Sequence, residues 1–259
     1  SGEVNSTVYY NVIRAINWTN LNDGDYTYNV TVFDLARNSN YTQTRVITID
    51  TTSPNGSLIT PLNATISNAS SHNLTVNISD NIELDNVTLF IYNSTNDLVN
   101  ETFYDINAVE ALVGITYYFV DGVFKWFYKV VDIANNFFYS KNNTITIDTQ
   151  FPTIDYGAES YENLVNLSRS WIFVNVSVVE DNEANITFGL YNGSGEVNVT
   201  TYYDSTRSVN WSGLGDGQYT YNVTIVDTSG NTNWTESYNI VLDDTFPLID
   251  YGDGMEVDD

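Results

Sequence analysis

Asparagines that begin Asn-x-Ser/Thr triplets are the first group of residues in this chain whose type and spacing indicate a particular chemistry. The chain has 259 residues, 35 of them Asn, and 21 of these begin such a triplet. That is about three times the number expected by chance from its composition, and the triplet is the acceptor motif for N-glycosylation of surface segments. The alternative is that Asn and Thr merely suit polar turns and strand faces. The predicted glycosylation sites are Asn5, Asn17, Asn29, Asn40, Asn77, Asn86, Asn93, Asn175, Asn185, Asn192, Asn198, Asn210, Asn222 and Asn233.

The spacing of these triplets suits outward-facing strand positions. In a strand, residues i and i+2 share one face, so an Asn-x-Thr triplet can place Asn and Thr outward around an apolar residue. Asn29 and Asn222 recur at the same position of an internal repeat, and so do Asn77 and Asn175. We expect glycans on at least these four residues.

Acidic residues form the second group with a chemistry of their own. The chain has 33 Asp and Glu against 8 Lys and Arg, a net charge of -25. This charge argues against nucleic acid and anionic membrane surfaces as partners. It suits either solubility or the binding of a hard divalent cation such as Ca²⁺, which takes several oxygen ligands. The candidate ligands near the repeat junctions are Asp50, Asp80, Asp148, Asp181, Asp243 and Asp244.

Other loops supply further carboxylates, which are Asp34, Glu83, Asp132, Glu183 and Asp227. The alternative is that each Asp serves as a turn or strand-end residue through local hydrogen bonds. No EF-hand loop is present, so the sequence leaves both interpretations open.

Catalysis finds little support. The one histidine, His72, is predicted to lie in an exposed turn, and the chain has no Cys. No phosphate loop and no Ser/His/Asp set at a recognisable spacing is present. We therefore predict that the chain is not an enzyme. No apolar run approaches the length of a membrane span, and since the chain begins without Met we expect a mature protein or an excerpt of a longer one.

The elements that must position these residues belong to an internal repeat. Residues 1–54 align with 194–247 without a gap, with 28 of 54 positions identical. Asp50, Asp148 and Asp243 open equivalent junctions, at spacings of 98 and then 95 residues. The predicted domains are the C-terminal part of a repeat (1–50), two complete repeats (51–148 and 149–243) and the first strand of a further repeat (244–259).

Within a repeat the apolar residues alternate with a period of two. In "YTYNVTIVD" (219–227), Tyr, Tyr, Val and Ile point one way, and Thr, Asn and Thr point the other. Such a run predicts a half-buried strand. About seven short strands per repeat, separated by turn signals, predict a β-sandwich of immunoglobulin type.

Three predicted loops follow equivalent strands of the repeats. Their sequences are "DLARN" (34–38), "DIANN" (132–136) and "DTSGN" (227–231). The linkers that follow carry Pro54, Pro152 and Pro247. With these motifs the chain resembles the bacterial and archaeal Ig-like repeats of cell-surface proteins. An Asp-Gly-x-Tyr motif, at 23–26 and at 216–219, is similar to the tyrosine corner of such domains, whereas Phe124 lacks the hydroxyl.

The resemblance implies an all-β fold of tandem immunoglobulin-like β-sandwiches arranged as a rod. It also implies an extracellular, cell-surface location, and calcium at the repeat junctions, as in related bacterial repeats. We expect almost no helix. The predicted core includes Trp18, Tyr28, Val30, Trp126, Trp211, Tyr221 and Val223.

One stretch departs from the pattern, because no Asn-x-Ser/Thr triplet begins between Asn100 and Asn142. Phe127 stands there at the position of Asn29 and Asn222. The three lysines of the chain lie in the same stretch. A surface without glycans that carries aromatic rings and lysines predicts a protein–protein contact, formed by Lys125, Phe127, Lys129, Phe137, Phe138 and Lys141.

The alternative for this stretch is a second core layer under a long loop. If it is a contact, its partner should be acidic. The candidate within the chain is the tail "GDGMEVDD" (252–259), which carries Asp253, Glu256, Asp258 and Asp259. We also expect the incomplete outer repeats to be completed either by a longer parent chain or by strands from neighbouring subunits.

The leading hypothesis is a structural extracellular glycoprotein, a repeat segment of a surface filament or surface layer that self-associates. We expect an archaeal source from the style of the repeats. The alternatives are the stalk or binding module of a cell-surface adhesin, and a spacer attached to an enzyme.

Overall fold

The computed structural model describes residue 2 and residues 4–249, and no helix occurs among them. The predicted all-β fold class is confirmed. The described strands are β1 (Gly24–Tyr28), β2 (Thr31–Phe33), β3 (Ser39–Tyr41), β4 (Arg45–Ile49), β5 (Asn55–Thr60), β6 (Thr65–Ser67), β7 (Ser71–Asn93), β8 (Leu98–Tyr118), β9 (Gly122–Asp132), β10 (Phe137–Tyr139), β11 (Asn143–Ile147), β12 (Thr153–Tyr156), β13 (Val165–Leu167), β14 (Trp171–Val179), β15 (Glu183–Asn192), β16 (Gly195–Tyr202), β17 (Ser208–Ser212), β18 (Gly217–Asp227), β19 (Thr232–Trp234) and β20 (Tyr238–Leu242).

The chain divides into two compact units. Unit 1 comprises the residues up to Asn63 together with Asn73–Thr116 and Phe124–Thr144, and unit 2 comprises Ala64–His72, Tyr117–Val123 and the residues from Ile145 onward. The division into repeats at residues 50, 148 and 243 stays a prediction from the sequence. Residues 244–249 carry no strand, and the rest of the predicted final segment lies outside the described residues.

Unit 2 contains two sheets, with strand orders β12-β14-β17 and β13-β20-β18-β15-β16, and β19 pairs with β18. In the larger sheet β15 and β18 are antiparallel, with Phe188 opposite Val223 and Leu190 opposite Tyr221. β13 pairs with β20 in parallel. In the same unit, β6 and residues 145–147 of β11 form a second parallel pair.

The inward faces of these two sheets form the core of unit 2. Every second residue of β18, from Tyr219 to Ile225, is buried, and the residues between them are half-exposed. Tyr221 and Val223 are completely buried, and Trp211 of β17 is 6% exposed. These three residues belong to the core, as predicted. Burying a large apolar side chain contributes about 1.5–3 kcal/mol. The inward-facing residues of this alternating pattern therefore stabilise the packing of the two sheets.

Unit 1 is organised around the long strand β7. It pairs with β5 through residues 75–79 and with β9 through residues 84–93, and also with β8. Strand β10 extends β9, with Phe138 opposite Val130. In β9 the side chains of Trp126, Tyr128 and Val130 are completely buried. The predicted core position of Trp126 is therefore confirmed.

Residues 4–50, all within unit 1, form two small two-stranded sheets, β1-β4 and β2-β3. Trp18 and Tyr28 are half-buried and their ring centroids lie 6.0 Å apart, whereas Val30 is 51% exposed. The predicted core position of Val30 is wrong. Residues 1–50 align with 194–243 in sequence, so they hold no counterpart of β14, which contributes to the same core as Val223, or of β15, which pairs with β18.

Two tyrosines form the expected corner hydrogen bonds. The hydroxyl of Tyr26 donates to the carbonyl oxygen of Asn22 at 2.9 Å, and that of Tyr219 donates to the carbonyl oxygen of Gly215 at 3.0 Å. Each bond reaches four residues back along the chain, the local pattern of a tyrosine corner. Phe124, at the equivalent position of β9, is buried but has no hydroxyl to donate.

Candidate functional site

A row of aromatic rings covers the outward side of β7, β9 and β10. Phe127 stacks on Phe90, with centroids 5.3 Å apart, and on Tyr92, at 5.9 Å. It also contacts Tyr139 at 6.1 Å, which in turn contacts Phe137 at 5.8 Å. We name these five residues the aromatic face. Such offset and tilted pairs are the geometries that aromatic rings favour.

Two of the three lysines, Lys125 and Lys129, lie beside the aromatic face. The Nζ atom of Lys129 lies 5.7 Å from the ring centroid of Phe137 and 6.0 Å from that of Tyr139. Both distances are within the range of a cation–π interaction. The ammonium group of Lys125 donates to Asn96 Oδ1 at 2.8 Å, and Lys141 is exposed. The side chains of Lys125 and Lys129 thus stand at the surface, as the strand alternation predicts.

The predicted contact set is only partly brought together. Phe127 and Phe137 belong to the aromatic face, but Phe138 alternates with Phe137 along β10 and points to the opposite side. Sequence reasoning missed Phe90, Tyr92 and Tyr139. The signal for the first two was the alternation in "NVTLFIYN" (86–93), in which the residues between buried Val, Leu and Ile must face outward.

Two groups of three carboxylates also come together, one within each unit. We name them the first acidic cluster (Asp50, Asp80 and Asp132) and the second acidic cluster (Asp148, Glu180 and Asp227). In each cluster one oxygen of every residue lies within 4.8 Å of those of the other two. Because hard cations such as Ca²⁺ require converging oxygens, these clusters are the candidate metal centres.

In the first acidic cluster one oxygen of Asp80 accepts hydrogen bonds from the backbone that follows it in β7. Its Oδ2 accepts the backbone N–H groups of Ile82 at 2.9 Å and Glu83 at 3.1 Å. The residue is only 9% exposed. Its Oδ1 is buried and accepts no hydrogen bond from any described residue.

Asp50 repeats this arrangement. Its Oδ1 accepts the N–H of Thr52 at 3.2 Å, while its Oδ2 is buried and unpartnered among residues 4–249. Burial raises the pKa of the Asp50 carboxyl, and the nearby charges of Asp132 and Asp80 raise that pKa further. Hydrogen bonds from the backbone of Thr52 and from the side chain of Asn81 favour the ionised form but offset this rise of the pKa only in part.

In the third member, Asp132, both carboxylate oxygens accept hydrogen bonds. It is 1% exposed, and its Oδ1 accepts the N–H groups of Ala134 at 2.9 Å and Asn136 at 2.8 Å. Its Oδ2 accepts the side-chain amide of Asn136 at 2.8 Å. Asp132 therefore does serve as a turn residue through local hydrogen bonds. These bonds hold its carboxylate in place beside those of Asp50 and Asp80.

The second acidic cluster is more open and better satisfied. Asp148 and Glu180 are half-exposed. Asp148 Oδ2 lies 3.5 Å from donors on both Asn182 and Ser229. Glu180 Oε1 accepts the N–H of Asn182 at 2.7 Å, and Asp227 Oδ1 accepts that of Ser229 at 2.8 Å. Solvent can therefore reach two of the three carboxylates.

Three of the predicted ligands stay apart from these clusters. Asp181 is exposed, and its neighbour Glu180 takes the place expected for it, because β14 runs to Val179 and the next residue turns inward. Asp243 and Asp244 belong to no carboxylate group among the described residues. The N–H of Asp244 instead donates to Asp216 Oδ1 at 2.8 Å.

Two asparagines that sequence reasoning did not select tie the carboxylate loops in place. Asn231, at 2% exposure, donates from Nδ2 to the carbonyl oxygen of Asp148 at 2.9 Å and to Asp227 Oδ2 at 2.7 Å. Asn136 donates in the same way to the carbonyl oxygen of Asp50, at 3.3 Å. Both end the loops whose motifs carried the Ig-like resemblance.

None of the predicted glycosylation sites is buried. Those classed as exposed are Asn5, Asn17, Asn29, Asn40, Asn77, Asn192, Asn198 and Asn210. The half-buried ones are Asn86, Asn93, Asn175, Asn185, Asn222 and Asn233. Asn77, Asn175 and Asn222 lie within strands, whereas Asn29 falls between β1 and β2.

The described residues form an all-β fold, and in unit 2 two sheets share one core, which is the architecture of an immunoglobulin-like β-sandwich. Residues 175–244 match the family model of the bacterial Ig-like domain, and this confirms the resemblance drawn from the sequence motifs. The match covers about a quarter of the chain. Bacterial Ig-like domains commonly occur in surface or extracellular proteins, and Ig-like folds are typically non-catalytic modules.

Solved structures of other tandem modules show a distant likeness. The fibronectin(III)-like modules of Clostridium thermocellum CbhA match at 12% identity over 72% of this chain and 92% of theirs, with a TM-score of 0.39. The FN1–FN3 domains of chicken CNTN1 match at 12% identity over 83% of this chain and 77% of theirs, with a TM-score of 0.38. Likenesses at this level do not indicate a shared function.

No curated protein has a significantly similar sequence. In the part of the chain that the structure describes, no helix has the length and apolar character needed to cross a membrane.

Proposed function

We propose that the chain is a structural, extracellular, glycosylated repeat segment of a surface filament or surface layer, and that it associates with copies of itself through the aromatic face. The family match supports a surface or extracellular module in general. The aromatic face is the observation that carries the more specific proposal.

The exposed part of the aromatic face has the features of a contact surface. Phe137 and Tyr139 are 56% and 51% exposed, and they adjoin each other and Phe127, so the exposed rings form a contiguous apolar patch. Aromatic residues are enriched at the centres of protein interfaces. Phe127 lies at the position where the other repeats carry Asn29 and Asn222, so a glycosylation site has been replaced by a ring.

Charge favours a second copy of this chain as the partner. All three lysines lie between residues 125 and 141, in a chain whose net charge is -25. Another copy therefore presents acidic surface almost everywhere else, and complementary charge guides association and fixes register. The acidic tail with Asp253, Glu256, Asp258 and Asp259 remains our candidate for the opposing segment, although it lies outside the described residues.

Glycans fit the same arrangement. No acceptor triplet begins between Asn100 and Asn142, the stretch that supplies Phe127, Phe137 and Tyr139. Asn86 lies at the border of the aromatic face, in register with Phe137 across Val131. A coat of sugars shields strand edges and faces from non-specific pairing. The role is structural and not catalytic. Association is then confined to the part of the surface formed by residues 101–141, where no acceptor triplet begins.

The test places a glycan on the aromatic face. Phe127→Asn with Lys129→Thr, Tyr128 kept, creates an Asn-x-Thr triplet at the centre of the face. Phe137→Asn with Tyr139→Thr creates one at its exposed edge, where stacking contributes less to folding. Expressed in a glycosylating host, both variants should carry an added glycan and sediment as monomers, whereas the parent chain assembles.

Phe137→Asn alone, with Tyr139 kept, creates no triplet and serves as the control for loss of the ring without a glycan. Circular dichroism of each variant checks that the strands remain. Assembly that proceeds unchanged with a glycan on either position contradicts the proposal. Electron microscopy of the native material distinguishes a filament or lattice from the isolated stalk of an adhesin.

A further inference from the structure

An exposed tryptophan of unit 2 lies beside an acceptor triplet on the neighbouring strand. Trp234 of β19 is directly opposite Thr224 of β18, the third residue of the triplet that begins at Asn222. Residues opposite each other in an antiparallel pair share one face of the sheet. Because Val223, between the two triplet residues, is completely buried, Asn222, Thr224 and Trp234 all point outward. Trp234 is 63% exposed.

The same arrangement recurs at the equivalent residues near the start of the chain. Tyr41 of β3 is opposite Thr31 of β2, the third residue of the triplet that begins at Asn29. Tyr41 is 76% exposed. A single exposed ring needs no explanation, whereas the recurrence of triplet and ring together indicates that the two have a common role.

The acceptor nitrogens of both triplets are weakly engaged. Asn222 Nδ2 lies 3.5 Å from the hydroxyl oxygen of Ser237, and Asn29 Nδ2 lies 3.3 Å from that of Thr44. Both contacts are at exposed positions and are longer than an ordinary hydrogen bond. A sugar attached to either nitrogen therefore displaces only a weak contact.

Trp234 is also the middle residue of a second triplet, from Asn233 to Thr235, but this triplet faces the other way. Thr235 is buried, and Asn233 Nδ2 donates to the carbonyl oxygen of Pro152 at 2.8 Å. The exposed indole ring thus shares its face of the sheet with the acceptor at Asn222.

The repeat at 51–148 shows that groups at these two positions reach each other. Phe127 and Tyr139 stand there at the positions of Asn222 and Trp234, and their ring centroids lie 6.1 Å apart. Diagonal neighbours on one face of a sheet are about 7–8 Å apart, within reach of aromatic and long side chains. A group attached at the acceptor position can therefore pack on the aromatic residue across the two strands.

We propose that Trp234 is a binding platform for the N-linked glycan on Asn222, whose first sugar packs on the indole ring. Tyr41 holds the glycan on Asn29 in the same way. One face of a pyranose ring presents C–H bonds and is apolar, so it covers the negatively polarised face of an aromatic ring and removes that apolar surface from water. Phe127 takes the place of the sugar in the repeat at 51–148.

This inference rests on the glycosylation that the proposed function includes, and it does not depend on self-association. Its test uses the intact chain expressed in a glycosylating host, with peptide mass spectrometry to detect the glycan on Asn222. N-bromosuccinimide then oxidises accessible tryptophans, and the rate for Trp234 is read from its peptide. Asn222→Gln and Thr224→Val each remove the triplet, so oxidation of Trp234 should become severalfold faster in both variants.

Two controls separate loss of the glycan from other effects. Asn77→Gln removes an acceptor whose triplet lies opposite Asn55 and Ser57, and it should leave the oxidation of Trp234 unchanged. The parent chain, Asn222→Gln and Thr224→Val are also made in a host that does not glycosylate. Trp234 should then be oxidised equally fast in all three chains.

Packing of the sugar should also stabilise the folded chain. Trp234→Ala should lower the thermal unfolding temperature of the glycosylated chain more than that of the unglycosylated chain. Combining it with Asn222→Gln should remove this difference, because two residues that act through one contact have non-additive effects.

The outcomes distinguish this inference from the proposed function. Equally fast oxidation of Trp234 in the parent chain and in Asn222→Gln, with the glycan detected in the parent, overturns the inference alone, and so do additive effects of Trp234→Ala and Asn222→Gln. A native chain without a glycan on Asn222 overturns the inference and contradicts the glycosylation in the proposed function. A glycan that protects Trp234 in a chain that stays monomeric supports the inference and contradicts the proposed self-association.

Discussion

Phe127 of β9 stacks on Phe90 of β7, with ring centroids 5.3 Å apart and 21° between the ring planes. Both rings are half-buried, whereas Phe137 and Tyr139 on the neighbouring strand are mostly exposed. The aromatic face therefore has two parts. The stacked part joins neighbouring strands of the sheet, and the exposed part is available to a partner.

This division predicts different outcomes for two alanine variants. Phe127→Ala loses stacking with both Phe90 and Tyr92, so it should lower the free energy of unfolding by about 2 kcal/mol. Phe137→Ala should change stability by no more than about 0.5 kcal/mol but weaken self-association. Urea unfolding and sedimentation velocity measure the two effects. Equal losses of stability, or a Phe137→Ala chain that still assembles fully, would contradict the division.

Much of the fold could be predicted because alternation leaves a strong signal in strands that are buried on one side. The sequence "FKWFYKVVD" (124–132) places Trp126 and Tyr128 inward, and the structure agrees. Val30 has the same pattern around it, yet it is half exposed. Alternation shows which face is apolar, but it cannot show whether other strands are present to cover that face.

The candidate sites were less predictable, since they depend on contacts between residues distant in sequence. Asp50 and Asp132 were both candidates from their loops, but nothing local showed that their oxygens converge. Glu180 was missed because the end of β14 could not be placed to within one residue. Tyr139 was missed because the signal for the contact surface came from aligned positions, which pointed to Phe138 instead.

A second prediction concerns the loop asparagines. Asn231→Ala removes donors from the carbonyl oxygen of Asp148 and from Asp227 Oδ2, and Asp227 is 2% exposed. Leaving a buried acceptor without its donor costs about 1–3 kcal/mol, so we expect a loss of roughly that size in chemical denaturation. Asn136→Ala should cost less, since Asn136 is half-exposed and water can replace it. An equal or larger loss in Asn136→Ala would argue against this reasoning.

A third prediction concerns alkaline pH. Burial raises the pKa of the Tyr128 hydroxyl, which donates to the carbonyl oxygen of Leu74 at 2.7 Å. Above pH of about 10 the unfolded chain loses this proton while the folded chain keeps it, so the free energy of unfolding falls by up to about 1.4 kcal/mol per pH unit.

Tyr128→Phe should cost about 1 kcal/mol at pH 8, through loss of that hydrogen bond. Its stability should then fall less steeply above pH 10 than that of the parent chain, although Tyr156 and Tyr221, whose pKa values burial also raises, still contribute. Denaturant titrations at a series of pH values give both slopes. Parallel slopes would show that Tyr128 ionises as easily in the folded chain as in the unfolded one.

The last prediction separates two aligned acceptor asparagines. Asn77 is exposed on β7, whereas Asn175 is half-buried on β14. Asn175 Oδ1 accepts the hydroxyl of Ser160 at 3.0 Å, and a Cβ atom built on Gly157 would lie 2.7 Å from Asn175 Nδ2. The nitrogen that would carry the glycan is thus packed against a turn that only glycine allows to come so close.

We therefore expect Asn77 to be glycosylated in the native material and Asn175, contrary to the expectation from its sequence alone, to be largely unmodified. A glycan on Asn175 would displace the turn that contains Gly157 and break the Ser160 hydrogen bonds, while one on Asn77 disturbs nothing packed above it. Mass spectrometry of peptides covering each site measures occupancy. Asn77→Gln should remove one glycan from the intact mass, and Asn175→Gln should leave the number of glycans unchanged. Comparable occupancy at both positions would mean that the turn over Asn175 opens to admit a sugar, and the exposure of the acceptor would then not decide which triplets are used.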